Sequence, residues 1–306
     1  MKFTTLKKTD IRISRIGIGA NKVGGHNYYS NLDEMEGKDF IKEAIRLGVN
    51  FIDTADVYGL GRSEELIGEV LQSIDTKRED LIIATKGGIT DSGGTGKESN
   101  NKPEYLRSAL EKSLKRMQTD YVDLYYLHMP DGETPLSESI GELSRLKEEG
   151  KIRAIGVSNL NLEQLKEANQ TAEISALQSG YSMLDRSVEK DVLPYCAEHE
   201  ISFIPYLPLF NGLLGGKYSV ENPPVQTYLG AEELHESLKK VDKLRAIVSD
   251  KQTTMANLAL AWLLAQNGVD AVIPGGRRPD QVRGVMGAID VKLTQTDLLK
   301  INEILK

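Results

Sequence analysis

The chain has 306 residues, 40% of them hydrophobic and 27% charged, with a net charge of −7. That length fits one (β/α)8 barrel of about 250 residues without forcing a second domain, and the composition is that of an ordinary globular protein. The acidic balance argues against a nucleic-acid or anionic-membrane surface, the single cysteine, Cys196, excludes an internal disulfide and suits a reducing cytoplasm, and the opening MKFTTLKKTD lacks the apolar run of a secretory signal.

Residues 2–6 and 11–14 alternate polar and apolar around Lys8-Thr9-Asp10, which predicts a β-hairpin. Short β-branched runs follow, each trailed by a helical pattern. The predicted strands are 16–20, 51–54, 81–86, 122–128, 154–158, 176–178, 202–206 and 271–274. The predicted helices are 38–47, 64–72, 103–117, 136–149, 161–168, 188–198, 232–249, 255–265, 279–286 and 295–305. The greasiest stretch, 258–265, is far short of the about 20 residues that span a bilayer and reads as a buried helix. Eight strands alternating with helices make a parallel sheet covered by helices. An open dinucleotide-binding sheet would carry a Gly-rich fingerprint after its first strand. Here Gly17-Ile18-Gly19-Ala20-Asn21-Lys22 lacks the third glycine and the following helix. Gly94-Thr95-Gly96-Lys97 resembles a phosphate loop, but Glu98 stands where Ser or Thr is needed. The expectation is therefore a closed α/β (β/α)8 barrel over 1–306, with an N-terminal hairpin and extra helices at the C-terminal side. Two long loops on one rim, 87–103 and 212–230, are expected to form binding loops or lids.

Consecutive strand ends deliver Asp53 with Tyr58, then Lys86, then His128. Polar residues at the carboxyl ends of barrel strands converge on one rim. Tyrosine titrates near about 10, and a neighbouring ammonium stabilises its phenolate. A carboxylate keeps that ammonium charged, and a neutral imidazole can donate a hydrogen bond to a carbonyl oxygen. Together the four suit proton delivery to a carbonyl that becomes an alcohol. Taken singly, Asp53 reads equally well as a turn cap, Tyr58 as a half-buried aromatic and His128 as a satisfied core histidine. A Schiff base on Lys86 is the rival chemistry. His26, Tyr28 and Tyr29 either line the substrate mouth or form a plain surface loop. Trp262 reads as core. His199 and His235 have no metal-ligand spacing, so no metal is expected.

These residues carry a resemblance. Phe51-Ile52-Asp53-Thr54-Ala55 with Tyr58-Gly59, Ala84-Thr85-Lys86, Asp123-Leu124-Tyr125-Tyr126-Leu127-His128 and Lys151-Ile152-Arg153-Ala154-Ile155-Gly156-Val157-Ser158-Asn159 are similar to the aldo-keto reductases, over essentially the full chain. The runs Gly24–Asn27 and Gly61–Gly68 are similar to the bacterial branch that includes the inositol-operon reductase of Bacillus. The resemblance implies a barrel that uses NADPH and a small carbonyl substrate, with Tyr58 as general acid, Lys86 lowering its pKa, Asp53 pairing with Lys86 and His128 orienting the carbonyl. It implies that Ser158, Asn159 and Gln178 hold the nicotinamide carboxamide and that Tyr206 stacks on the ring. By the same resemblance Asn21, Leu207, Pro208 and Leu209 line the cofactor, and Gly212, Leu213 and Lys217 strap the pyrophosphate. Gly275, Gly276 and Arg277 bind the 2′-phosphate, with Gln281 beside them. Glycine amides and the Arg277-Arg278 pair suit a phosphate dianion in an acidic protein.

Four positions depart from the pattern the resemblance implies: Gly284 and Val285 where adenine contacts are expected, Met129 where many relatives have tryptophan, and Gly215 in place of a common threonine. A nucleotide-sensing protein with little turnover is the alternative reading.

Overall fold

The computed structural model describes residues 1–90 and 98–306, so the discarded phosphate-loop look-alike at Gly94–Lys97 lies outside the described residues. The chain opens with an antiparallel hairpin, β1 (Phe3–Thr5) and β2 (Arg12–Ser14). Seven parallel strands follow in sequential order: β3 (Ile18–Gly19), β4 (Phe51–Asp53), β5 (Ile82–Gly87), β6 (Val122–Leu127), β7 (Ile152–Ser158), β8 (Ile174–Gly180) and β9 (Ser202–Tyr206). Between and after them run α1 (Glu34–Arg46), α2 (Arg62–Ser73), α3 (Pro103–Met117), α4 (Leu136–Glu148), α5 (Leu162–Thr171), α6 (Val192–Glu198), α7 (Ala231–Asp250), α8 (Met255–Leu264), α9 (Pro279–Val285) and α10 (Gln295–Leu305).

The sheet closes through segment 268–275 rather than through a regular eighth strand. The Gly17 N–H donates to the Val272 carbonyl at 2.8 Å and the Val272 N–H to the Arg15 carbonyl at 3.0 Å. On the other edge the Phe203 N–H donates to the Gly268 carbonyl at 3.0 Å. The predicted strand 271–274 is thus reduced to an isolated bridge, Val272 with Ile16, flanked by bridges from Gly275 to Gly19 of β3 and from Val269 to Phe203 of β9. Pro274 has no N–H to extend the ladder. The result is a (β/α)8 barrel.

Strand periodicity sorts the side chains into two layers. Phe51, Ile82, Ala84, Leu124, Tyr126, Ala154, Ala176, Ile204, Ala271 and Ile273 pack inside the barrel with Leu6, Ile11 and Ile13 of the hairpin. The alternate residues, such as Ile52, Ile83, Tyr125 and Ile155, pack outward against the helices. Gly156 makes room for the interior Tyr126 ring, since a Cβ there would lie 2.3 Å from its Cδ1. The predicted helix 188–198 is instead a short 3-10 turn, Ser187–Lys190, followed by α6. Asp191 breaks it, with φ −148°, and its carboxylate accepts from the Val192 N–H.

Candidate active site

The inward positions that follow the hydrophobic layer are polar. Asp53 is two residues past Phe51, Lys86 two past Ala84, and His128 two past Tyr126. Ser158 and Gln178 stand at the same level on β7 and β8, in register with each other. Period-2 alternation therefore carries all five to the carboxyl-end mouth.

Lys86 has no exposed surface. Its Nζ donates to Asp53 Oδ1 at 2.6 Å and to the Thr54 carbonyl at 2.7 Å. Gln178 Nε2 donates to the other Asp53 oxygen at 2.8 Å. Burial pushes the Asp53 carboxyl up, and Lys86 and Gln178 oppose that push. Tyr58 is not at the strand end itself. It opens a 3-10 turn, Tyr58–Gly61, five residues after Asp53. Gly59 takes φ +62° there, and a Cβ on it would meet the Gly24 carbonyl oxygen at 1.9 Å.

The Tyr58 and His128 rings meet edge to face at 6.2 Å between centroids, and Tyr28 meets Tyr58 in the same way at 6.1 Å. Lys86 Nζ lies over the Tyr58 ring, 5.3 Å from its centroid. A charge at Lys86 favours the Tyr58 phenolate, but in this structure it does not set the net direction of the phenol's pKa. Burial first, then Asp53, hold the phenol well above its ordinary value. The Lys86 ammonium is committed to Asp53 and Thr54 and approaches the ring face. Burial, with Lys86 second, holds His128 well below 6.5, so the imidazole is neutral. Its Nδ1 is buried without a hydrogen-bond partner.

These groups open onto a cleft of about 910 Å³, within the usual range for a ligand site. Asp53, Tyr58 and His128 line it, as do Asn21, Ser158, Asn159, Gln178, Tyr206, Leu207, Pro208, Leu209, Gly212, Lys217, Gly275, Arg277 and Gln281. The Tyr206 hydroxyl donates to Asn159 Oδ1 at 2.9 Å, and Asn159 Nδ2 donates to Ser158 Oγ at 3.0 Å and to the His128 carbonyl at 3.1 Å. Asn159 sits at φ +59°, in the left-handed region that asparagine tolerates better than most residues.

Three expected site residues do not line the cleft. Lys86 lies behind its wall, against Asp53 and the Tyr58 ring. The Leu213 side chain is 4% exposed and belongs to the core. Gly276 is buried where a Cβ would press on the Phe40 ring at 2.5 Å, so its glycine serves packing. Gly284 and Val285 are also outside the cleft lining. Lys22, Tyr29, Leu32, Asn211, Tyr218 and Gln226 line the cleft without having been assigned to the cofactor from sequence. The position of Lys22 beside Asn21, just after a strand, was the one readable sign. Gln226 lies in a long loop that gives none.

Residues 15–306 match the Aldo/keto reductase family. The chain belongs to that family. It is 33% identical to the NADH-specific methylglyoxal reductase of Escherichia coli (strain K12), over 99% of this chain and 98% of that protein. It is 34% identical to the aldo-keto reductase yakc [NADP(+)] of Schizosaccharomyces pombe, over 99% of this chain and 92% of that protein. Among solved structures, the glycerol dehydrogenase of Gluconobacter oxydans superposes with a TM-score of 0.87 at 30% identity, over 99% of this chain and 94% of that one. Membership makes this chain a nicotinamide-dependent oxidoreductase of the carbonyl–alcohol type.

Proposed function

We propose that this chain is a single-domain, cytoplasmic reductase that uses NADPH to convert small aldehydes or ketones reversibly to alcohols, with Tyr58 as the general acid. The observation that carries this reading is the buried Lys86–Asp53 pair beneath a protonated Tyr58 and a neutral His128. The cleft fits a dinucleotide in its size, in the Asn21 Oδ1 left buried without a partner, and in its cations. Lys217 and Arg277 line it with no carboxylate paired to either among the described residues.

The bound nicotinamide would supply the hydride. The residues of this chain do the rest. His128 offers one N–H to the carbonyl oxygen; with Nδ1 buried, Nε2 is the nitrogen left to meet a ligand. The Tyr58 phenol is protonated, which is the state a donor must be in for reduction. Once the proton has left, the Lys86 charge over the ring stabilises the phenolate electrostatically. Asp53 holds Lys86 charged and aimed. Ser158, Asn159 and Gln178 offer amide and hydroxyl groups for a carboxamide, and Tyr206 offers a ring face fixed by its bond to Asn159. Arg277, read as the 2′-phosphate ligand, supports the choice of NADPH over NADH. The relatives named above include proteins of both nucleotide types. A cytoplasmic setting suits Cys196, whose thiol is buried and pushed up to about 12.

The test is NADPH oxidation at 340 nm with an aldehyde panel, in the native chain and in Tyr58→Phe. The variant is expected to lose roughly 10²–10⁴-fold in kcat, the usual contribution of a positioned acid, while binding NADPH normally. Wild-type turnover by Tyr58→Phe would remove the role given to the phenol. Tight nucleotide binding by the native chain without turnover on any aldehyde would favour the sensing alternative.

A further inference from the structure

Three cations that line the cleft, Lys22, Lys217 and Arg277, come from separate parts of the rim: the loop after β3, the loop after β9, and the closing segment before α9. None has an ion-pair partner among the described residues. Arg278, which also lines the cleft, differs in being paired, with Asp280 at 3.0 Å. In a chain of net charge −7, leaving three converging cations uncompensated is unusual.

Lys22 is the least expected of the three. It is half-buried, and its Nζ sits over the Tyr29 ring, 5.2 Å from the centroid. Asn21 fixes that ring by donating from Nδ2 to the Tyr29 hydroxyl at 3.0 Å. The other side-chain atom of Asn21, Oδ1, is buried and unpartnered, and a Cβ on Gly275 would lie 2.9 Å from it. A plain solvated lysine would have neither the aromatic shelf nor the like-charged company. Its pKa is lowered by burial first, then by Arg277 and Lys217. The charge therefore lacks an anion that the fold does not itself supply.

We infer that Lys22 is a phosphate anchor of this cleft, joining either Lys217 on the pyrophosphate or Arg277 on the 2′-phosphate of the dinucleotide. The inference rests on the cofactor reading above. An ammonium held over a ring face and facing two other cations is completed by a group with at least two negative charges. The dinucleotide offers two such groups, the pyrophosphate shared by NADH and NADPH, and the 2′-phosphate that only NADPH carries.

The experiment measures Kd for NADPH and NADH by nucleotide fluorescence on the full chain, without any carbonyl substrate. It compares the native chain, Lys22→Met and Lys22→Arg. Methionine keeps an apolar stem on Tyr29 and removes the charge. Lys22→Met is expected to weaken NADPH binding at least about tenfold, the factor carried by one charge-assisted hydrogen bond. Lys22→Arg should recover most of it. Loss for NADPH alone assigns Lys22 to the 2′-phosphate, whereas equal loss for both nucleotides assigns it to the pyrophosphate. Thermal stability should stay level or rise in Lys22→Met, because a repelled charge is removed. Unchanged affinity for both nucleotides would overturn the role of Lys22 while leaving the cofactor reading intact. A native chain that binds neither nucleotide would overturn both.

Discussion

Lys86 shows how much of this site is held by one buried charge. Its ammonium has Asp53 and the Thr54 carbonyl as partners and no access to water. Lys86→Met should therefore leave a buried carboxylate without its cation, and urea unfolding should show a loss of about 3–5 kcal/mol. Adding Asp53→Asn in the same chain should recover much of that loss, because no charge then remains to be solvated. Asp56, three residues further on, is a second stranded acid. Its Oδ1 is buried without a partner, and burial with Glu64 nearby raises its pKa to about 8. The folded protein binds this proton more tightly than the unfolded chain, so Asp56 favours folding in acid. That contribution falls away as pH rises from about 4 towards 8, by up to about 1.4 kcal/mol per pH unit. Asp56→Asn should flatten this decline, and thermal midpoints across pH 5 to 9 would register it. A midpoint curve parallel to the native one would mean Asp56 is ionised in the folded state. At this scale the sequence was legible wherever a side chain follows strand alternation. Asp53, Lys86 and His128 each stand two residues beyond an interior apolar position. Lys22 was not legible, because a loop lysine reads as solvated until its neighbours are known.

The elements were largely legible because helix and strand signals agree with the packing. Asn161 and Gln164 form a capping box at the start of α5, and Thr294 with Asp297 does the same for α10. Legibility failed where tertiary contacts decide the backbone. The helix predicted over 188–198 breaks at Asp191, and the eighth strand is reduced to bridges. Tyr58 likewise depends on its turn more than on β4. Gly59 is held at positive φ under the Gly24 carbonyl, so an alanine there needs either strain or a shift of the whole turn. Gly59→Ala should cost about 1–3 kcal/mol of stability. It should also lower kcat well beyond any change in KM, as the phenol moves off the His128 ring. Steady-state kinetics beside thermal unfolding would separate the two effects. Wild-type kcat in a destabilised Gly59→Ala would show that the turn does not set the phenol's position.

For the molecule as a whole, closure of the ring depends on Arg15. Its guanidinium donates to the carbonyls of Leu264 at 2.9 Å, Asp270 at 3.1 Å and Val269 at 3.3 Å, and its backbone carbonyl receives the Val272 N–H. Arg15→Ala should loosen the seam locally. Hydrogen exchange at Gly17 and Val272 should quicken at least about tenfold, for a loss of roughly 1.5–3 kcal/mol in charged hydrogen bonds. Unchanged exchange there would assign closure to the backbone bridges alone. Below this seam, the hairpin seats Leu6, Ile11 and Ile13 among the interior residues of the barrel, all three with at most 1% exposure. The barrel is therefore stoppered at its amino end and, among the described residues, its site opens at the carboxyl end. If cofactor and carbonyl share this well at different depths, they are expected to load in a fixed order, the deeper one first, and product-inhibition patterns would show it.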